Sequence, residues 1–316
     1  MKTILVTGAS GFIGSDILRE LQNDYGLIAL GRNFKKKEPH TNIHYVTGDL
    51  NQLNLDDIRA DLPTELQIDV CIHSAGQAHI AQTGNADFMF MRNNIDATIA
   101  VLHLALEAKV SKFVLISSVV VYNNDPSDIY EQSKRKAEEY VTAFCKQHQI
   151  TFIIIRPTMV YGKNEPSRYF ADLINKMGRG YYLLPNSGNK IMNMVYIKNV
   201  SFIIRKTLEW DSYNNSIIVA RDHEQLTLRE WCSQLKGVIN KECYLIPIPT
   251  LIVKILIIAI NLVQKIGLLK RFKVRSLRNL NTQVQYPLSV QNASLVAALP
   301  YTAQEGMADM GLITNK

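Results

Sequence analysis

The chain has 316 residues, of which 47% are hydrophobic and 20% charged, and its 35 Lys and Arg outnumber 28 Asp and Glu for a net charge of +7. This composition excludes a disordered, collagenous or disulfide-stapled chain, and the length suits one large domain with a smaller lobe. The charge is uneven. Between Cys243 and Gln304 there is no Asp or Glu, but there are seven basic residues: Lys254, Lys265, Lys270, Arg271, Lys273, Arg275 and Arg278. An anionic partner such as a diphosphate or an acidic membrane surface, or simply a solvated basic face, accounts for such a run. No nucleic-acid motif accompanies it. The four cysteines (Cys71, Cys145, Cys232, Cys243) form no CxxC pair and no metal-like spacing. Reduced thiols in the cytosol and no metal site are expected.

In chain order, short apolar runs alternate with amphipathic stretches. Thr3–Thr7 is too short for a signal peptide and enters a glycine motif at once. Runs at Ile4–Thr7, Leu27–Leu30, Ile43–Val46, Val70–His73, Phe113–Ser117 and Thr151–Ile155 read as buried strands. Ile13–Gln22, Asn94–Ala108 and Ser133–His148 have helical periodicity. The alternation predicts an α/β fold: a Rossmann-type, doubly wound parallel sheet with a smaller C-terminal substrate lobe. Residues 1–160, with returning segments near 190–220, are expected to form the dinucleotide-binding domain, and 161–316 mainly the substrate lobe.

The first turn reads Thr7-Gly8-Ala9-Ser10-Gly11-Phe12-Ile13-Gly14. It follows a strand and opens a helix, the context in which three glycines cradle a pyrophosphate at a helix N-terminus. A dinucleotide site in this position usually carries an acid after the second strand for the ribose hydroxyls. Here Leu30-Gly31-Arg32-Asn33 stands there, and no acid follows before Glu38. Arg32 suits a 2′-phosphate, so NADP(H) is favoured over NAD(H).

Further motifs follow in order: Asp49-Leu50, His73-Ser74-Ala75-Gly76, Ser117-Ser118, Tyr130-Glu131-Gln132-Ser133-Lys134 and Arg156-Pro157-Thr158-Met159-Val160-Tyr161-Gly162. In this order and spacing the chain resembles the extended short-chain dehydrogenase/reductases, the NAD-dependent epimerase/dehydratase family, from residue 2 to about 200. Ala75–Ile80, Leu184-Pro185 and Tyr196–Asn199 most resemble a bacterial subgroup of nucleotide-sugar 4-epimerases and 4-keto-reductases in surface polysaccharide synthesis. The resemblance implies a UDP-type sugar substrate, a nicotinamide cofactor and frequent homodimers. It places Gly8, Ser10, Gly11, Phe12, Ile13, Gly14, Arg32, Asp49, Leu50, Ser74, Ala75, Gly76, Asn94, Tyr130, Lys134 and Pro157 beside the cofactor. Gln77, Ser118, Val119, Tyr130, Arg168 and Arg275 fall to the substrate.

Tyr130 and Lys134 are four apart at a helix start and project from one face. Tyr130 would exchange the proton on the reacting hydroxyl, Lys134 would lower the phenol pKa and grip the cofactor ribose, and Ser118 would hydrogen-bond the same substrate oxygen. His73 lies beside the cofactor in the family pattern, yet a packing role suits it equally; His79 is given no catalytic role. Dehydratases of the family carry Asp-Glu after the serine or threonine, where this chain has Val119-Val120. Two apolar side chains move no proton, so redox at one carbon is expected, by epimerisation or 4-keto reduction. A non-catalytic NADP(H)-binding regulator and a reductase of a non-nucleotide ketone are the alternatives.

Three departures stand out. Asn123 replaces a usual glycine, the connection to Tyr130 is short, and Met192 stands where many relatives place a diphosphate-clamping arginine, for which Arg168, Arg275 or Arg278 would have to compensate. Finally, Leu251–Lys265 is apolar but for a narrow stripe of Lys254, Asn261, Gln264 and Lys265. It is too short to span a bilayer. With the basic residues to Arg278 it suits either a lobe or dimer-interface helix, or peripheral contact of a cytoplasmic protein with the inner membrane face.

Overall fold

The computed structural model describes residues 1–34, 40–52, 55–60, 67–78, 86–167, 169–239, 242–265 and 284–310. In chain order the elements are β1 (Thr3–Thr7), α1 (Phe12–Leu21), β2 (Gly26–Gly31), β3 (Ile43–Thr47), α2 (Leu55–Ala60), β4 (Val70–His73), α3 (Ala86–Met91), α4 (Ala97–Glu107), β5 (Lys112–Ile116), α5 (Ile129–Gln147) and β6 (Thr151–Pro157). Then come β7 (Met159–Tyr161), α6 (Tyr169–Met177), β8 (Tyr181–Pro185), β9 (Met194–Tyr196), α7 (Ile197–Glu209), β10 (Ser216–Ala220), α8 (Leu228–Ile239), β11 (Tyr244–Ile248) and α9 (Thr250–Lys265). Two short helices close the series, α10 (Val290–Ala297) and α11 (Ala303–Asp309).

They form two compact units, one of Met1–Val160, Val195–Arg221 and Tyr286–Pro300, the other of Tyr161–Met194, Asp222–Gln285 and Tyr301–Lys316. The first unit holds a seven-stranded sheet of order β10-β6-β5-β4-β1-β2-β3. All its pairings are parallel. The strands are apolar on both faces because both are covered. Ile4, Val6, Val114 and Ile153 meet the side of α1 and α7, while Leu5, Phe113, Leu115 and Ile154 meet the side of α4 and α5. Fully burying each such side chain stabilises the fold by about 1.5–3 kcal/mol.

The segment Tyr286–Pro300, within the stretch read as mainly substrate lobe, groups with the sheet. The buried Asn292 amide of α10 accepts from the Val219 N–H (2.9 Å) and donates to the Val219 carbonyl (3.0 Å). It thereby satisfies the edge of β10 as another strand would.

The second unit pairs β8 with β11 in parallel, Tyr181 opposite Tyr244 and Pro185 opposite Ile248. Trp231 of α8 packs against the Tyr161 and Phe170 rings, with centroids 5.9 and 5.1 Å away. Among the described residues no helix is long and apolar enough to cross a membrane.

The strand order reverses between β1 and β4, where open α/β sheets bind ligands at their carboxyl edge. Gly8 sits there with φ +67°, and a Cβ on it would lie 2.6 Å from the Ala75 backbone. Both the left-handed backbone and the contact forbid a side chain. Gly8→Ala is expected to lower the unfolding free energy by more than about 2 kcal/mol, read from urea melts.

Candidate active site

The glycine turn is folded by its own backbone. The Gly11 N–H donates to the Gly8 carbonyl (2.8 Å), and Gly11 becomes the N-cap of α1. A Cβ on Gly14 would strike the Gly8 carbonyl, so the helix starts tight against the strand end. Phe12 and Ile13 supply the first helical residues, and Ser10 is exposed beside Gly31. Ser74, directly after β4, keeps its hydroxyl oxygen buried with no protein partner. A side-chain-free cradle facing an unpartnered hydroxyl at the reversal of strand order fits a dinucleotide pyrophosphate and its ribose.

The other expected cofactor residues differ in how free they are. Arg32 follows β2 and is exposed. Asp49 uses one carboxylate oxygen to accept from the Asn51 backbone (3.1 Å) and lies 3.7 Å from Arg92, while Leu50 packs under the α4–α5 face. Pro157 ends β6, paired with Ala220.

At the carboxyl edges of β4 and β5 several expected residues converge. Asp128 caps α5, its carboxylate accepting from the Glu131 N–H (3.2 Å). That fixes the phase that turns Tyr130, Lys134 and Glu138 inward on successive turns. The Lys134 ammonium donates to the Ile116 carbonyl (3.2 Å), and its Nζ lies 2.9 Å from where a Cβ on Gly76 would be. Asn94 lies in a π-helical turn, Arg92–Asp96, between α3 and α4. Its amide accepts from the Gln77 N–H (2.7 Å) and donates to the Ser133 hydroxyl (2.9 Å) and the Gln77 carbonyl (3.1 Å). The Gln77 side chain is itself held by Asn93 (2.6 Å). Ser118 follows β5 and begins a 3₁₀ turn, Val119–Tyr122, with its oxygen accepting from Val120 N–H (3.3 Å). Its hydroxyl is close enough to the Tyr130 phenol to favour the ionised form of that group.

The electrostatics modify one expectation. Burial pushes the Tyr130 phenol up to about 12, with the Ser118 hydroxyl opposing it and Asp128 adding to it. Lys134 is brought down to about 8 by burial, with Glu138 opposing. The lowering of the phenol expected from Lys134 is therefore not what the protein groups produce; desolvation of Tyr130 prevails.

Arg168 and Arg275, expected to meet the substrate, and Arg278 and His79 lie outside the described residues. The position of Asn123 needs no glycine, since its φ is −72°. The left-handed residue is its neighbour Asn124, at +52°. Met192 pairs through its backbone N–H with the Leu226 carbonyl (2.9 Å).

Sequence reasoning missed two features. Glu138 is buried and accepts from the Ser117 hydroxyl (2.5 Å) and the Arg156 guanidinium Nε (3.0 Å), and Arg156 lies over the Tyr122 ring at 4.6 Å. The i, i+4 spacing of Lys134 and Glu138 was the available signal. Arg221, immediately after β10, keeps Nε buried without a protein partner. Of the two roles open to His73, packing fits: the Thr98 hydroxyl donates to the Asn94 carbonyl (2.6 Å), so it accepts from Nε2–H (3.1 Å), leaving Nδ1 to accept from Thr7 (2.7 Å). The ring is neutral, and packing accounts for its place.

Residues 4–220 match the NAD dependent epimerase/dehydratase family. The chain belongs to that family. It is thus an enzyme of the extended short-chain dehydrogenase/reductase type, built for a nicotinamide dinucleotide. Family members similar to it include the UDP-glucose 4-epimerase of Vibrio cholerae, 26% identical over 268 residues, covering 78% of this chain and 79% of that protein. The trifunctional UDP-glucose 4,6-dehydratase/UDP-4-keto-6-deoxy-D-glucose 3,5-epimerase/UDP-4-keto-L-rhamnose-reductase of Arabidopsis thaliana is 26% identical over 75% of this chain, which spans only 40% of that relative. The crystal structure of UDP-glucuronic acid 4-epimerase from Bacillus cereus in complex with NAD shares the fold, with a TM-score of 0.73, 19% identity and 98% coverage of both chains.

Burial lowers the His73 pKa from 6.5 to about 3, with the Lys134 ammonium adding to the effect. The unfolded chain therefore binds the extra proton first, and stability present above pH 6.5 is lost as pH falls from there toward the folded value. The slope from this ring approaches about 1.4 kcal/mol per pH unit. Urea melts near pH 7.5 and about pH 5.5 should show that loss, and His73→Gln should reduce it.

Proposed function

We propose that this family member acts at C4 of a UDP-linked sugar as a 4-epimerase in the supply of sugars for surface polysaccharide. The observation that carries this reading is the convergence of Lys134 and Asn94 on Gly76, with Ser118 and Tyr130 close to each other at the same strand edge. The activity of the Vibrio cholerae UDP-glucose 4-epimerase supports it.

The roles follow from the geometry. Hydride exchange is the chemistry a bound nicotinamide dinucleotide supplies. Ser118 holds the sugar oxygen through its hydroxyl. Tyr130, with its phenol near 12, is protonated at neutral pH and gives its proton to a developing alkoxide, taking one back in the reverse direction. Lys134, still largely ammonium at neutral pH, donates to a ribose hydroxyl, and Asn94 holds the Gln77 backbone and Ser133 in place. Val119, nearly buried at the start of its turn, offers no proton for eliminating water.

Arg32 favours a second reading, net reduction of a 4-keto-sugar with an exchanging NADPH. The Bacillus cereus structure contains NAD, whereas here an exposed guanidinium follows β2 and no acid stands on Gly31–Phe34.

Purified protein mixed with UDP-sugars and with 4-keto UDP-sugars distinguishes the readings. Inverted product without net cofactor consumption marks the epimerase; stoichiometric NAD(P)H oxidation marks the reductase; turnover of neither class rejects both. Tyr130→Phe should lower kcat by about 10²–10⁴ while cofactor affinity holds. Unchanged turnover would remove Tyr130 from its role.

Cofactor preference is checked separately by calorimetry. NADPH should bind more tightly than NADH, and Arg32→Ala should cost NADPH alone about tenfold to a hundredfold, the loss of a charge-assisted pair. Equal effects on both cofactors would take Arg32 away from the 2′-phosphate.

A further inference from the structure

We propose that the outward face of α9 docks on an anionic lipid surface. The inward face is ordinary: Val253 and Ile257 are buried and pack against Ile248 and Ile260. The outward face is not. Leu251, Ile252, Ile255 and Ile258 are 68, 48, 55 and 59% exposed. At about 100° per residue these four occupy one arc opposite the buried pair, where a surface helix normally carries polar residues. The arrangement presents a continuous apolar strip to water, which in soluble proteins marks an interaction surface.

Charge decides what covers it. Lys254 is exposed at the border of the strip, where an aliphatic stem lies along apolar surroundings while the ammonium reaches out. The sequence from Cys243 to Gln304 carries seven Lys and Arg and no acid. A second copy seated strip to strip would bring its own Lys254 and no acid, since this helix carries none. Anionic headgroups complement the lysine and the acid-free sequence around it. The helix has 16 residues, about 24 Å at the helical rise. It is too short to cross a bilayer and suited to lie along one with its apolar strip among the acyl chains. The strand leading into it, β11, exposes Tyr244 beside its register partner Tyr181. Tyrosine is the kind of residue that settles at the headgroup level.

The inference is independent of which sugar the enzyme takes. The test is co-sedimentation of the full chain with phosphatidylcholine vesicles, with or without phosphatidylglycerol. Binding to the phosphatidylglycerol vesicles at low salt, weakened at about 0.5 M salt, is expected. The double substitution Ile255→Glu/Ile258→Glu should lower that binding at least about tenfold, since it removes apolar area and adds like charge to the headgroups. These positions are exposed, so cofactor affinity and circular dichroism should be unchanged. If that variant misfolds, Lys254→Glu gives the same test through charge alone. Absence of binding at low salt, equal binding to neutral vesicles, binding that survives these substitutions, or a self-associated chain that the double variant makes monomeric would each overturn the proposal.

Discussion

A buried ammonium constrains much of the first unit. Lys134 is buried, and leaving such an ion unpaired costs several kcal/mol. The protein meets that cost with the Ile116 carbonyl and with the Glu138 carboxylate one helical turn along. Glu138 is itself buried, and it depends on the Ser117 hydroxyl and the Arg156 guanidinium. One charge and its partners thus tie the ends of β5 and β6 to α5, whose phase the Asp128 cap sets. Tyr130 comes inward as a consequence of that phase.

The sheet supplies the complementary constraint. Parallel strands covered on both faces cannot slip without exposing core on one side and crowding it on the other. The reversal between β1 and β4 therefore sits at a defined place, and the contact of Gly8 with the Ser74–Ala75 backbone fills the crevice to the limit of main-chain atoms. What remains open over that turn is bounded by N–H groups and one unpaired hydroxyl, a surroundings suited to phosphate and ribose.

Much of this was legible in the sequence because strands buried on both faces appear as continuous apolar runs. Six of the seven were read from such runs, with ends displaced by at most two residues. The seventh, β10, has apolar side chains only at Ile217–Ala220 and owes its place to pairing with β6 and to Asn292. The Tyr130–Lys134 face was legible from helical spacing. The Glu138–Arg156 pair was not, since its partners lie 18 residues apart on different elements. Nor could spacing show that burial would outweigh the lysine in setting the phenol's acidity. Asn94 to Ala108 read as one helix because the apolar period barely registers a single widened turn.

That widened turn has a reach beyond its own length. Its defining hydrogen bond runs from the Ala97 N–H to the Arg92 carbonyl, five residues back rather than four. In this setting the Thr98 hydroxyl spends its only hydrogen on the Asn94 carbonyl, and its lone pair can do nothing but receive. The imidazole at the end of β4 must then keep its hydrogen on the outer nitrogen. A hydroxyl-to-carbonyl bond beside the widened turn thus sets the tautomer of a side chain from another layer of the fold.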